Sequence, residues 1–204
     1  MTMINSDAPK KDCPETDGAS ALKTLLPVKW VWLLFAVQLL TMLMLPLSNE
    51  AAVQRFPQAQ LPAEFFLALL TGVYSLLLLK IFTCCLEMRY NSAAAFGLFS
   101  AVLLTAAAGF SMTGSAVWKT VFSLLALAVS MVAGYSEFSA HAVLLRGAKP
   151  SLSAGWRRLW LWYAVSVSAI AAAAFFLPYA AAACLVPMLC KLALLWKTAR
   201  VLRA

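Results

Sequence analysis

Glu137 and His141 are the residues of this chain whose types and spacing point most directly to chemistry. They lie four positions apart in a segment with helical periodicity, so they share one helix face. His141 is the only histidine. A carboxylate and an imidazole in that relation can relay a proton or touch a ligand, and Arg146, Arg157 and Arg158 follow closely enough to receive an anionic head group or a phosphate. The structural alternative is an ordinary i,i+4 hydrogen bond that steadies the end of one helix.

Polar side chains inside apolar runs are the next candidates, because each is expensive in lipid. Lys80 stands roughly four turns into an apolar run, where a lysine at a helix centre costs roughly 2.5–3.5 kcal/mol. Its position toward one end lets the stem snorkel to the headgroups, and Lys191 is read in the same way. Gln38 lies in the middle of the first apolar run and is expected to bond across to a neighbouring helix. Glu64 opens the second run, where an acid suits the helix dipole.

Signatures of covalent or metal chemistry are lacking. The five cysteines, Cys13, Cys84, Cys85, Cys184 and Cys190, show no C-x-x-C spacing. They read as small apolar core residues rather than a disulfide framework. Gly109-Phe110-Ser111 resembles the G-x-S of intramembrane serine proteases of the rhomboid type. Those continue with glycine where Met112 stands here, and carry their histidine on a later span, whereas His141 falls on the very next helix. There is no H-E-x-x-H, no pair of aspartates within a span, no P-loop and no Gly-rich nucleotide loop. No catalytic residue, metal or cofactor is therefore expected.

The elements that must position these residues are membrane helices. The chain has 204 residues, 63% hydrophobic and 12% charged, against about 25% charged in a soluble domain. A small water-soluble fold cannot hide that much apolar surface. Lipid resolves the conflict, and the sequence implies an all-α polytopic membrane protein with six transmembrane helices in a bundle. Residues 1–25 read as a disordered cytoplasmic tail and residues 26–204 as a single transmembrane domain. The expected spans are Val28 to Leu47, Ala63 to Leu86, Ala93 to Thr113, Thr120 to Tyr135, Trp156 to Leu177 and Ala180 to Trp196. The fourth helix should run on through Ser136 to Arg146, with Gly147 as its C-cap and Ser151 or Ser153 capping the next. Residues 159–196 as one helix would reach roughly 57 Å, nearly twice a ~30 Å hydrocarbon core. Two spans joined by a hairpin at Pro178 and Tyr179 are expected instead of one kinked helix.

The net charge of +8 is placed at the ends of the apolar runs, which argues for anionic lipid and against nucleic acid. With six spans and the N-terminus inside, every Lys and Arg except Arg55 and Lys119 falls on the inner side, as the positive-inside rule requires. The chain is accordingly expected in the plasma (inner) membrane with both termini cytoplasmic. Trp30, Trp32, Trp156, Trp160, Trp162 and Trp196 gather near the inner interface as an aromatic belt. Stripes of small residues mark expected contact seams: Ala93, Gly97, Ala101, Thr105 and Gly109 on the third span, Ala126, Ser130 and Gly134 on the fourth, and Ala164, Ser168 and Ala172 on the fifth.

In size, span number and orientation the chain resembles the substrate-binding membrane subunits of energy-coupling-factor vitamin importers. Those subunits usually carry an A-x-x-x-A seam on the first span, where Ala36 stands alone here. The resemblance implies a small-solute transport component working with other subunits. The competing expectation is a non-catalytic scaffold or accessory subunit that docks lipid or partner proteins on the basic face formed by Arg146, Lys149, Arg157 and Arg158. A polar pocket lined by Gln38, Tyr74 and tryptophans would favour transport. A solid bundle would favour the scaffold.

Overall fold

The computed structural model describes residues 28–45, 57–174 and 185–203, and every described element is helical. In chain order these are α1 (Val28–Met44), α2 (Pro57–Cys85), α3 (Met88–Met112), α4 (Ala116–Leu144), α5 (Pro150–Ala174) and α6 (Leu185–Arg203). The expected N-terminal tail, the link from α1 to α2, the Pro178–Tyr179 hairpin, Cys13 and Cys184 lie outside the described residues. Three helices, α2, α3 and α4, are long and apolar enough to cross a membrane. α1 is apolar but has 17 residues, a reach of roughly 25 Å.

The helices close into a ring. Each packs on its neighbours in sequence, and α1 also packs on α6. Short turns force the middle of the ring to alternate in direction. Leu86 and Glu87 alone separate α2 from α3, and Leu86 adopts a left-handed backbone with φ of 55°. At the opposite end Gly114 makes the α3–α4 turn with φ of 71°, a conformation that glycine adopts without strain. The chain also reverses between α5 and α6, because the Trp156 indole of α5 donates to Thr198 Oγ1 of α6 at 3.1 Å. A continuous helix would hold those residues roughly 60 Å apart.

Burial is concentrated at one end of the ring. Val31 and Leu34 of α1 meet Leu78 and Ile81 of α2, Tyr90 of α3, Phe138 and Leu145 of α4, Leu152 and Trp156 of α5, and Leu195 and Leu202 of α6. Beyond this core the same end carries the exposed cations Lys29, Lys80, Arg89, Arg146, Lys149, Arg157, Arg158, Lys197, Arg200 and Arg203. The other end is held by a different device. Glu64 accepts from Lys119 Nζ at 2.7 Å, from Gln60 at 2.9 Å and from Ser111 Oγ at 2.9 Å, and so ties α2 to α3 and α4. Glu64 is thus a three-way clamp rather than an acid at a helix start, because α2 begins about two turns earlier at Pro57.

Several local expectations are corrected. α4 ends at Leu144 with a right-handed cap at Leu145, so Gly147 is not a left-handed C-cap. α5 starts directly at Pro150, a position that suits proline because the first helical N–H has no intrahelical partner. Ser153 therefore does not cap; its hydroxyl donates to the Ala142 carbonyl of α4 at 2.6 Å. The α3 stripe faces inward at Ala93, Gly97 and Ala101 but Thr105 is exposed. Four-residue spacing advances about 40° beyond a full turn at each step, so a long stripe rotates off the contact. On α5, Ser168 and Ala172 are exposed. That helix packs instead through Trp156, Leu159, Tyr163 and Val167. Trp156 is fully buried and belongs to the core rather than to an interfacial belt. Cys84 and Cys190 are exposed rather than core residues.

Candidate functional site

At the centre of the ring Glu137 is 3% exposed. It holds two partners from two other helices. Its Oε2 accepts from Lys191 Nζ of α6 at 2.8 Å, and its Oε1 accepts from the Tyr74 hydroxyl of α2 at 2.5 Å. The Lys191 ammonium lies 4.5 Å above the Tyr74 ring and 5.6 Å from the Phe138 ring. Tyr74 therefore binds both members of the pair, the anion through its hydroxyl and the cation through its face. Lys191 is not a snorkelling residue. Its head turns inward because a carboxylate and two aromatic rings replace the hydration that it gives up.

One turn along α4, His141 is fully buried. Its Nδ1 is 2.8 Å from the Tyr90 hydroxyl of α3, and its ring stacks on Trp156 of α5 with centroids 4.4 Å apart. The i,i+4 hydrogen bond to Glu137 does not form, since Nε2 and Oε1 stand 3.9 Å apart. Among the described residues His141 Nε2 is the one fully enclosed side-chain nitrogen or oxygen without a hydrogen-bond partner. The two residues thus anchor separate connections. Glu137 joins α2, α4 and α6, while His141 and Trp156 join α3, α4, α5 and, through Thr198, α6.

Beside the ion pair lies a cavity of about 170 Å³ with lining from all six helices. Gln38 and Thr41 come from α1, Thr71, Tyr74 and Ser75 from α2, Gly97 and Ser100 from α3, Ser130, Gly134 and Glu137 from α4, Tyr163 from α5 and Lys191 from α6. The hydroxyls share one kind of partner. Thr41, Thr71, Ser75, Ser100 and Ser130 each donate to a backbone carbonyl, at 2.8–3.0 Å. Each oxygen keeps its lone pairs, so the wall is rich in acceptors. Gln38 is buried, and among the described residues nothing hydrogen-bonds its amide. The expected bond to a neighbouring helix is replaced by a position on the cavity wall. Gly97 brings α2 and α3 together here, because a Cβ at that position would overlap Ser75 Oγ.

The other sequence candidates lie elsewhere. Lys80 is exposed on α2 and takes no part in this cluster. Arg146, Lys149, Arg157 and Arg158 are exposed around the α4–α5 turn, and among the described residues none is in an ion pair. Ser111 is bonded to Glu64 at the far end of the ring, remote from His141. No group of three or more metal-ligating side chains occurs among the described residues. Sequence reasoning missed Lys191 as a site residue, together with Tyr90 and Thr198. Comparison with protein-family models, with curated proteins and with solved structures finds no match to this chain.

Proposed function

We propose that all six helices cross the plasma (inner) membrane with both termini in the cytoplasm, and that the ring binds and carries a small polar solute. The observation behind this reading is a buried ion pair, Glu137 with Lys191, on the wall of a cavity of mixed polar and apolar lining to which every helix contributes. Ionisable groups at membrane depth mark solute and ion pathways because lipid makes them costly for structure alone. The cavity includes Gln38 and Tyr74 of the expected transport-pocket residues, but none of the tryptophans expected with them lines it. Its size limits the cargo. A cavity of 150 Å³ holds one benzene molecule, so about 170 Å³ suits roughly six to eight non-hydrogen atoms. The exposed cations at one end support that orientation through the positive-inside rule.

A second reading rests on the four exposed cations at the α4–α5 turn, a face on which an accessory subunit would dock anionic lipid or a partner protein. Native mass spectrometry of the protein released gently from its own membranes separates the two. Discrete small-molecule adducts, or a co-purifying energising subunit, are the expected result for a solute carrier. Retention of lipid alone would remove the solute reading and leave the basic face as the functional surface.

A further inference from the structure

We infer that the solute is a small zwitterion, which opens the Glu137–Lys191 pair and takes its place between the two charges; this rests on the solute-binding reading above. Charge balance in a low-dielectric site carries the inference. A cationic solute that captured Glu137 would leave the Lys191 ammonium buried without a counter-ion. An anionic solute that captured Lys191 would strand the Glu137 carboxylate in the same way. Each stranded charge is heavily penalised. A neutral solute has no contact strong enough to open a 2.8 Å ion pair, and the two charges would then face the cavity unused. A zwitterion alone leaves every charge paired, in the order carboxylate, ammonium, carboxylate, ammonium.

The wall chemistry agrees with that order. An ammonium brings three donors and no acceptor. It would meet Glu137 Oε2 and the wall hydroxyls of Ser75, Ser100 and Ser130, whose protons are engaged by backbone carbonyls and whose oxygens remain as acceptors. The solute carboxylate needs donors. Lys191 supplies one, and the unpartnered Gln38 amide on α1 supplies another. The Tyr74 hydroxyl keeps Glu137 Oε1 throughout and holds the carboxylate in place while its other oxygen changes partner. Lys191 can swing on its flexible four-carbon stem. Binding would exchange the direct α4–α6 contact for one that runs through the solute.

The test is calorimetric titration of the full-length protein in detergent with glycine, L-alanine, β-alanine and 4-aminobutanoate, alongside ethylamine and propionate as the separated halves. At least one zwitterion should bind saturably and at least about tenfold more tightly than either half. Glu137→Gln and Lys191→Met should each abolish that binding. Because either single variant leaves a buried charge unpaired, Glu137→Gln/Lys191→Met is included as a neutral control that should fold and fail to bind. Ethylamine or propionate binding as tightly as every zwitterion would overturn the inference while leaving a charged-solute site. Binding retained in the folded double variant would overturn it as well. So would the absence of binding by all four zwitterions, and in that case the native adducts decide the broader reading independently.

Discussion

Replacing Lys191 with methionine is the sharpest test of how the ring is held together. The substitution keeps most of the stem and removes only the ammonium, so Glu137 is left buried with Tyr74 as its one partner. If the pair is truly desolvated, breaking it costs about 3–5 kcal/mol. An ordinary polar contact between membrane helices averages only about 0.6 kcal/mol and rarely exceeds about 1.7. The two cases are separated by a factor large enough to measure. Glu137→Gln should cost a similar amount, because it strands the lysine. Combining the two removes both charges and still leaves an amide oxygen for the Tyr74 hydroxyl. The double variant should therefore recover to within about 2 kcal/mol of the parent, giving a coupling of at least about 4 kcal/mol. Reversible unfolding in mixed micelles of rising dodecyl sulfate content, followed by tryptophan fluorescence, reads all four proteins. A cost below about 1 kcal/mol for Lys191→Met, with additive behaviour in the double variant, would show that water reaches the pair.

Further outcomes follow from neighbouring contacts. Tyr90→Phe removes the one hydrogen-bonding partner of His141 and should destabilise by about 1–3 kcal/mol. Tyr90→Phe/His141→Phe should recover most of that in the same unfolding assay, since a ring remains against Trp156. Gly97→Ala places a methyl group on Ser75 Oγ and should cost about 1–3 kcal/mol; adding Ser75→Gly should relieve it, and failure of that rescue would mean that α2 and α3 approach differently. Neutralising Arg157 and Arg158 to glutamine should weaken retention of anionic lipid in native mass spectra, by about 1 kcal/mol or about fivefold per charge. High salt should mimic the effect, and an unchanged lipid count would place those arginines outside the lipid-binding surface.

Helix number and approximate limits were readable because lipid dictates them. A run of twenty apolar residues bounded by Pro, Asn or Glu has few alternatives to a helix, and α2, α3 and α4 follow the expected runs with one to two extra turns at the start of each. Glu137 and His141 stand out in the sequence by type and spacing, and both are buried. Their partners were not readable. The 54 positions between Glu137 and Lys191 mean that their contact depends on ring closure, which hydropathy does not encode. Lys191 was assigned to snorkelling because periodicity places a residue on a face without saying whether that face turns to lipid or to the interior. The same ambiguity misplaced Ser168 and Ala172. A hint existed in the spacing of Lys191 and Thr198, two polar residues seven positions apart on α6 and so on one face, but the many apolar residues around them hid it.

Closure of the ring by its first and last helices has a consequence for biosynthesis. The ribosome delivers Glu137 to the membrane 54 residues before Lys191. At about 5–20 residues per second, the acid waits roughly three to eleven seconds for its partner. Through that interval α4 holds a charge with no ammonium to meet it. The nascent chain must keep the glutamate hydrated or shielded by the insertion machinery until α6 emerges. A chain interrupted before α6 would expose an uncompensated carboxylate inside its bundle.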